Sequence, residues 1–273
     1  LFKRKESQTG VYALNVINNQ ESDPNADGKS HKILERAQQT AASADIQLNT
    51  LLRYDVNVPN AIVSVIKENK VTDLVLGLHE KKEFSESFRG HTTERILSSS
   101  NVTTYIYRPV QPVATVKRYI VVIPENAEEE LGFPLWVIRI WNLAQNTGGR
   151  LLFYGTKKTL DILQDIQKDN PIEAEFRPFD DWDDFLIIAR DMQPDDGLIA
   201  VMSYKGLPSF QSGMKKIPNY MSKYFPDRNF ILIYPIHTLT DESENRDLLN
   251  ASLLPNFNKF EGIGKSISKA LKA

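Results

Sequence analysis

The chain of 273 residues is 41% apolar with a formal net charge of −2, so it can bury a substantial core, and its bulk charge favours neither nucleic acid nor a membrane surface as a partner. Its length alone predicts about two domains. The absence of cysteine excludes disulfides, a thiol nucleophile and thiolate-bound metal and agrees with a reducing cytoplasm, and no apolar run reaches the roughly 18–20 residues of a transmembrane helix.

In the first half of the chain, strand patterns and helix patterns alternate. Residues 11–17 and 46–54 are β-type runs, and a helix pattern that Ser30 is predicted to cap separates them. Asn57 begins the next predicted helix, and residues 72–78 return to a strand. This alternation predicts a parallel sheet with helices on its faces.

A βαβ unit is predicted between residues 72 and 109. Its first strand closes at Gly77, a polar loop runs to Gly90, and a helix that Thr92 or Thr93 is expected to cap leads to the strand at 103–107. The loop leaves the carboxyl end of a strand. Ligands of open α/β sheets bind at that end, so the loop is the first candidate site.

The glycine spacing in this loop resembles the phosphate loop of the universal stress protein family, which reads Gly-x-x-Gly, nine residues, then Gly with Ser or Thr. Gly77 and Gly90 stand at the outer glycine positions, whereas Glu80 replaces the middle glycine and His91 the hydroxyl residue. A carboxylate there repels phosphate, which weakens the binding chemistry. The resemblance leaves Gly77, Gly90, His91 and Thr92 as candidate nucleotide-binding residues, with Thr92 and the helix N–H groups near the phosphate.

The second half repeats the plan after a joint at residues 110–116. Residues 118–123 form a nearly continuous β-branched run, which is typical of a strand buried on both faces. The ends LVLGL and YIYRP of the first half are matched by LIAVM and LIYP about 125 residues later, which predicts a tandem repeat. Further strands are predicted at 151–154, 172–179, 198–203 and 230–234, and helices at 133–146, 158–168, 182–192 and 217–224.

We therefore predict an α/β fold of two tandem open parallel-sheet domains of the universal stress protein, or adenine nucleotide alpha hydrolase-like, type. The first spans residues 1–112 and the second 113–240, and a tail at 241–273 ends in an amphipathic helix. In the family another strand precedes the one at 11–17, so we expect the sequence to begin inside a domain of a longer polypeptide. A self-standing chain is the alternative.

The two copies are expected to meet near their last strands and to bury Tyr105, Tyr107 or Tyr234.

Other clusters of candidate residues have simple structural explanations. The loop histidines His79 and His91 do not converge from a rigid frame, so no metal is expected. Serines 98–100 end a helix and offer no catalytic residue. The two tryptophans of the helix at 133–146, Trp136 and Trp141, are expected in the core.

Two stretches of the sequence point to a more specific family than the universal stress proteins. VNVPNAIVSVIKENKVTDLVLGL (56–78) and RYIVVIPENAEEELGFPLWVIRIWNLA (118–144), the latter followed by RLLFYG, look like the soluble carboxy-terminal region of bacterial cation/proton antiporters of the sodium/hydrogen exchanger type. In those proteins, tandem degenerate stress-protein-like domains follow a membrane transporter.

This resemblance implies a non-enzymatic regulatory domain for cation/proton antiport at the cytoplasmic face of the inner membrane. Its partners would be the transporter portion of the same polypeptide and a second copy in a homodimer, and its one candidate cofactor an adenine nucleotide. The alternative is a self-standing tandem universal stress protein that binds ATP or another adenine nucleotide. A nucleotide hydrolase is the third class, and no paired base and nucleophile supports it.

Overall fold

The computed structural model describes residues 10–18, 25–77, 91–237 and 263–272. These residues form two compact units. The small unit holds 10–18, 25–71 and 91–100, and the large unit holds 72–77, 101–237 and 263–272. None of the helices in the described ranges combines the length and the apolar character that a bilayer crossing requires.

The small unit combines two parallel strands with three helices. Strand β1 (Val11–Ile17) pairs with β2 (Leu48–Tyr54), and α1 (Ala26–Ala42) connects them. Helices α2 (Val58–Glu68) and α3 (His91–Ser99) pack on one another. The predicted order of strand, helix, strand and helix is confirmed for this part of the chain.

The predicted helix starts are right for one helix of the small unit and wrong for two. Asn57 caps α2, because its side chain accepts a hydrogen bond from the Asn60 N–H at 3.2 Å. Ser30 does not cap α1. It is buried inside the helix and donates to the Asn15 amide oxygen at 3.3 Å. Helix α3 already begins at its first described residue, so Thr92 and Thr93 lie within its first turn.

The large unit is built on a seven-stranded sheet with the order β3-β4-β9-β8-β5-β6-β7. All neighbouring strands are parallel except β4 and β9. This is an α/β fold with a mostly parallel sheet, as the alternating pattern predicts. The strands are β3 (Asp73–Gly77), β4 (Thr103–Arg108), β5 (Arg118–Val122), β6 (Arg150–Gly155), β7 (Ala174–Pro178), β8 (Asp196–Val201) and β9 (Asn229–Tyr234).

Strand β5 lies inside the sheet and is buried on both faces. Val121 faces a cluster that includes Trp136 and Trp141, and Ile120 and Val122 point to the opposite face. All three strand residues are fully buried, and the two tryptophans are core residues, as predicted. The helices are α4 (Phe133–Thr147), α5 (Lys157–Asp169), α6 (Ile217–Tyr224) and α7 (Ile263–Lys272).

The segment Trp182–Asp191 is helical, as predicted, and the helix is of the 3-10 type. Its three buried side chains, Trp182, Phe185 and Ile188, follow one another at a spacing of three residues. A 3-10 helix has three residues per turn, so it aligns these side chains on one face, whereas an α-helix would spread them. Burial of the aromatic pair therefore decides the helix type.

Strands β4 and β9, the last strands of the two predicted repeats, pair antiparallel, with Ile106 opposite Leu232. Tyr105 is fully buried and Tyr234 is 8% exposed, while Tyr107 is half-buried. The prediction that the last strands meet and bury Tyr105, Tyr107 or Tyr234 is confirmed, because Tyr105 and Tyr234 are buried. One continuous sheet thus contains strands from both halves of the sequence.

A polar contact also joins strand β3 to helix α4. Arg139 donates to the two carboxylate oxygens of Asp73 at 2.7 and 3.2 Å, and the Tyr105 hydroxyl donates to the same carboxylate at 3.3 Å. Burial, the largest single influence, lowers the pKa of Arg139, but the charge and hydrogen bonds of Asp73 together with the contact to Tyr105 more than offset it, so the pKa is raised. Arg139 therefore stays charged and holds the edge of the sheet to the helix.

A buried ion pair fixes the amino-terminal ends of β5 and β8. Arg118 donates to both carboxylate oxygens of Asp196, at 2.6 and 3.1 Å, and the Gln193 N–H donates to the same carboxylate at 2.7 Å. The Asp196 side chain is 2% exposed. The carboxylate has three donors, which is the arrangement that a buried charge requires.

Helix α7 packs against α4 and α5 and completes one face of the core. Ile267 is fully buried and Leu271 nearly so, whereas Lys265 and Lys269 are exposed. The amphipathic helix predicted near the end of the chain therefore forms, and its apolar stripe lies in the core of the large unit.

The Ile267→Ala variant should lose about 2–3 kcal/mol of unfolding free energy, because truncating a buried aliphatic side chain leaves a cavity. Urea denaturation followed by tryptophan fluorescence measures this loss. Lys265→Ala is the matched control on the exposed face of the same helix, and its stability should be unchanged. Equal stabilities for the two variants would contradict the docking of α7.

Candidate functional site

The connections after β5 and β8 diverge at the carboxyl edge of the large unit's sheet. The chain leaves β5 towards β6 on one side, and it leaves β8 towards β9 on the other. Such a reversal opens a crevice between the two connections, and ligands of doubly wound sheets bind there. We call it the switch-point crevice. Residues 123–132 follow β5 and residues 202–216 follow β8, so these two connections flank it.

A carboxylate from one connection accepts hydrogen bonds from the other. Glu130 follows β5, and one of its oxygens accepts from the Ser203 hydroxyl at 2.8 Å and from the Ser209 N–H at 3.2 Å. The Ser209 hydroxyl donates to the same oxygen. Ser203 and Ser209 are 6% and 2% exposed, and Glu130 is half-buried. Three donors thus converge on a negative charge supplied by the chain itself.

Aromatic side chains border this carboxylate. The Tyr204 ring contacts the His237 ring, with centroids 4.1 Å apart, and the centroid of the Tyr234 ring lies 5.6 Å from that of Tyr204. Burial, and secondarily the Glu130 charge, raise the pKa of Tyr204 above its usual range. Burial lowers the pKa of His237 from 6.5, although the Glu130 charge opposes that shift. Both rings are therefore neutral at pH 7.

Acidification should destabilise the chain partly through His237. The neutral imidazole is favoured in the folded state, so stability is fully present above pH 6.5 and falls as the pH drops below it, where the unfolded chain binds the proton more readily. Urea denaturation at pH 7.5 and pH 5 should show a smaller loss for His237→Asn than for the wild type. His31→Gln, at an exposed position of α1, should retain the full loss.

A second carboxylate of the same connection is nearly fully buried. Glu128 accepts a hydrogen bond from the Thr159 hydroxyl at 2.7 Å, and the Lys158 ammonium lies 2.9 Å from its other oxygen. Lys158 also pairs with Glu129 at 2.7 Å. Hydrogen bonds to Glu129 and then to Glu128 raise the pKa of Lys158. The acidic run after β5 therefore holds the amino terminus of α5 as well as the loop after β8.

The predicted nucleotide-binding residues that the structure describes belong to both units. Gly77 ends β3 in the large unit and is exposed, and a Cβ added to it would meet no atom of the described residues within 4 Å. His91 begins α3 in the small unit, and Thr92 is exposed in its first turn. Gly90 lies outside the described residues, as does most of the loop, including His79 and Glu80. Their role in nucleotide binding stays a prediction.

The remaining candidate clusters have structural partners. The hydroxyls of Ser98 and Ser100 donate to backbone carbonyls of their own helix turn, at 3.1 and 2.7 Å. The Trp141 indole N–H donates to the Asn170 carbonyl at 3.1 Å. Within the described ranges, no three histidine or carboxylate side chains converge as metal ligands do.

The comparisons with known proteins agree on the fold. No protein-family model and no curated protein sequence matches the chain. Among solved structures, the chain is similar to a universal stress protein from Archaeoglobus fulgidus, with 14% identity and a TM-score of 0.55 over 85% of this chain and 86% of that one. It is also similar to a Pseudomonas aeruginosa protein that is predicted to be a universal stress protein, with 7% identity and a TM-score of 0.53 over 97% and 87% of the two chains.

A third similar structure comes from a transporter. It is the cytoplasmic domain of a prokaryotic cation chloride cotransporter, with 11% identity and a TM-score of 0.50 over 82% of this chain and 84% of that one. At these identities the likeness shows the fold alone. The chain therefore has a universal-stress-protein-like α/β fold, and this fold also occurs in a cytoplasmic transporter domain.

Proposed function

We propose that the chain is a non-enzymatic regulatory domain of a membrane cation transporter of the cation/proton antiporter kind, acting at the cytoplasmic face of the inner membrane. The switch-point crevice carries this proposal. Its central donors, Ser203 and Ser209, are engaged by Glu130 of the same chain. A ligand-binding fold whose crevice is filled by its own side chains suits a domain that works through contacts with other protein parts.

The transporter likeness supports the choice of partner. A cytoplasmic domain of a cation chloride cotransporter has a similar fold over most of both chains. The proposed partners are accordingly the membrane portion of the same polypeptide and a second copy in a homodimer. No cofactor is required for either contact, and an adenine nucleotide is the one small molecule that the first-half loop would suit.

The strand pairing supports the proposal of two degenerate tandem copies. In the first half, β1 pairs with β2 and β3 pairs with β4, both in parallel. In the second half, β6 pairs with β7 and β8 pairs with β9, also in parallel. In the second half β5 lies between these two pairs. Among the described residues of the first half, no strand occupies that place. The first half thus has the pairing of the second without its middle strand.

Two measurements test the transporter role. The natural reading frame upstream of Leu1 should encode apolar spans of about 20 residues each. In inside-out vesicles that contain the full-length protein, deleting residues 1–273 should change the rate or the pH dependence of sodium/proton exchange without abolishing it. Full-length Asp196→Ala should behave like the deletion, and Asp195→Ala, which alters an exposed ion pair with Lys117, like the wild type. Unchanged exchange after the deletion would contradict the proposal.

A second candidate is a self-standing tandem universal stress protein that binds adenine nucleotides. It is favoured by Gly77, where no atom of the described residues would contact an added Cβ. Calorimetric titration of the purified chain with ATP, AMP and cyclic dinucleotides distinguishes this candidate function from the regulatory one. The regulatory proposal expects no micromolar binding. Micromolar binding of ATP that is lost in Gly77→Val would favour the second candidate, because a side chain there would block the approach of phosphate to the backbone.

A further inference from the structure

We propose that Glu130 is an internal plug: its carboxylate occupies an anion-binding position in the loop after β8 and keeps phosphate groups out of the switch-point crevice. The observation is the convergence of two serine hydroxyls and one backbone N–H on a single carboxylate oxygen. These are the donors that proteins use for phosphate oxygens as well as for carboxylates. The donor set is thus chemically indifferent to which anion it holds.

The donors are built into the fold, and the plug is the more accessible partner. Ser203 and Ser209 are more than nine-tenths buried, whereas Glu130 is half-buried. The loop returns towards β5 through Gly206, whose positive φ of 98° favours glycine. Removing the Glu130 side chain therefore leaves the donors in place and opens the path by which the carboxylate reaches them.

The plug excludes external anions by competition. Glu130 is tethered to the same fold, so its effective concentration at the donors is high and a dissolved phosphate competes poorly. Its negative charge also repels a second anion. Glu130→Gln keeps an oxygen acceptor of the same length and should keep the crevice closed. Glu130→Ala removes both the acceptor and the charge, and should allow inorganic phosphate to bind.

The test uses the purified chain with inorganic phosphate as the probe, and sulfate as a second anion. Phosphate should bind Glu130→Ala at least about tenfold more tightly than the wild type, the factor that one charge-assisted hydrogen bond supplies. Glu125→Ala is the matched control. It removes one exposed carboxylate from the same connection, so it corrects for the change in net charge. Phosphate binding by Glu125→Ala and by Glu130→Gln should remain at the wild-type level.

Thermal unfolding gives an independent reading. Glu130→Ala should melt at a lower temperature than the wild type, and phosphate should raise that temperature by more than it does in Glu125→Ala. Adding Ser209→Ala to Glu130→Ala should abolish this additional rise in melting temperature with phosphate. If Glu130→Ala does not fold, Glu130→Ser serves in its place.

Equal phosphate affinities for Glu130→Ala and Glu125→Ala would overturn the plug, as would a gain that survives Ser209→Ala. Binding of phosphate by the wild type as tight as by Glu130→Ala would do the same. These outcomes concern the isolated chain, so they are independent of its attachment to a transporter. The plug can fail while the regulatory role stands, and the reverse also holds.

Discussion

The Asp196→Ala variant should lose about 3 kcal/mol or more of unfolding free energy, since removing one partner of a buried ion pair leaves an uncompensated charge. Arg118 would lose both carboxylate contacts at the amino end of β5, and the Gln193 N–H would lose its acceptor. Urea denaturation monitored by tryptophan fluorescence and by circular dichroism measures the change.

The neighbouring residue provides the control for this variant. Asp195 pairs with Lys117 at 2.8 Å, but the two side chains are 47% and 75% exposed. Water and salt screen such a pair, so Asp195→Ala should have the stability of the wild type. The ion pair between β5 and β8 would be structurally unimportant if both variants unfolded at the same urea concentration.

The Ile106→Ala variant should lose about 3 kcal/mol, because Ile106 is fully buried on β4 opposite Leu232 of β9. The cavity would lie at the contact between strands from the two halves of the sequence. Since β4 and β9 belong to one sheet, β3 and β5 should lose hydrogen-exchange protection together in this variant.

Val75→Ala is the matched control for the contact between β4 and β9. Val75 lies on β3 and is 53% exposed, so its truncation should change stability by no more than about 0.5 kcal/mol. If Ile106→Ala exposed β3 and β4 to exchange while β5 kept full protection, the two halves would unfold separately. That result would contradict a single cooperative sheet.

Patterned apolar residues made most of the fold predictable. The β-branched run at 118–123 could only be buried on both faces, and it forms β5 inside the sheet. Helix α6 begins and ends at the residues expected from its pattern. The meeting of the last strands was also predictable, because tyrosines and β-branched residues on β4 and apolar residues on β9 favour buried strands.

Local details that depend on tertiary contacts could not be predicted. The sequence pattern predicts Ser30 as a helix cap, yet its hydroxyl donates to Asn15 on β1. The residues around Ser30 in the sequence do not indicate this partner. The segment Trp182–Asp191 has a helical pattern, but the spacing of its buried side chains selects the tighter helix. In both cases burial in the folded chain outweighs local preference.

The Glu130 cluster was missed for the same reason. Ser203 and Ser209 lie 73 and 79 residues from Glu130, and no glycine motif marks either loop. Two weak signals were present. Three consecutive glutamates follow the buried strand β5, and Ser203 comes shortly after the end of β8. Only the divergence of the two connections places these residues together.

Because β4 and β9 pair antiparallel, β3 and β4 run in the opposite direction to the other five strands of the sheet. Gly77, at the end of β3, and Ser203, just beyond β8, consequently lie on opposite rims. The length of a strand, roughly 20 Å, separates them. A ligand held near Gly77 would therefore lie at the opposite edge of this sheet from the switch-point crevice.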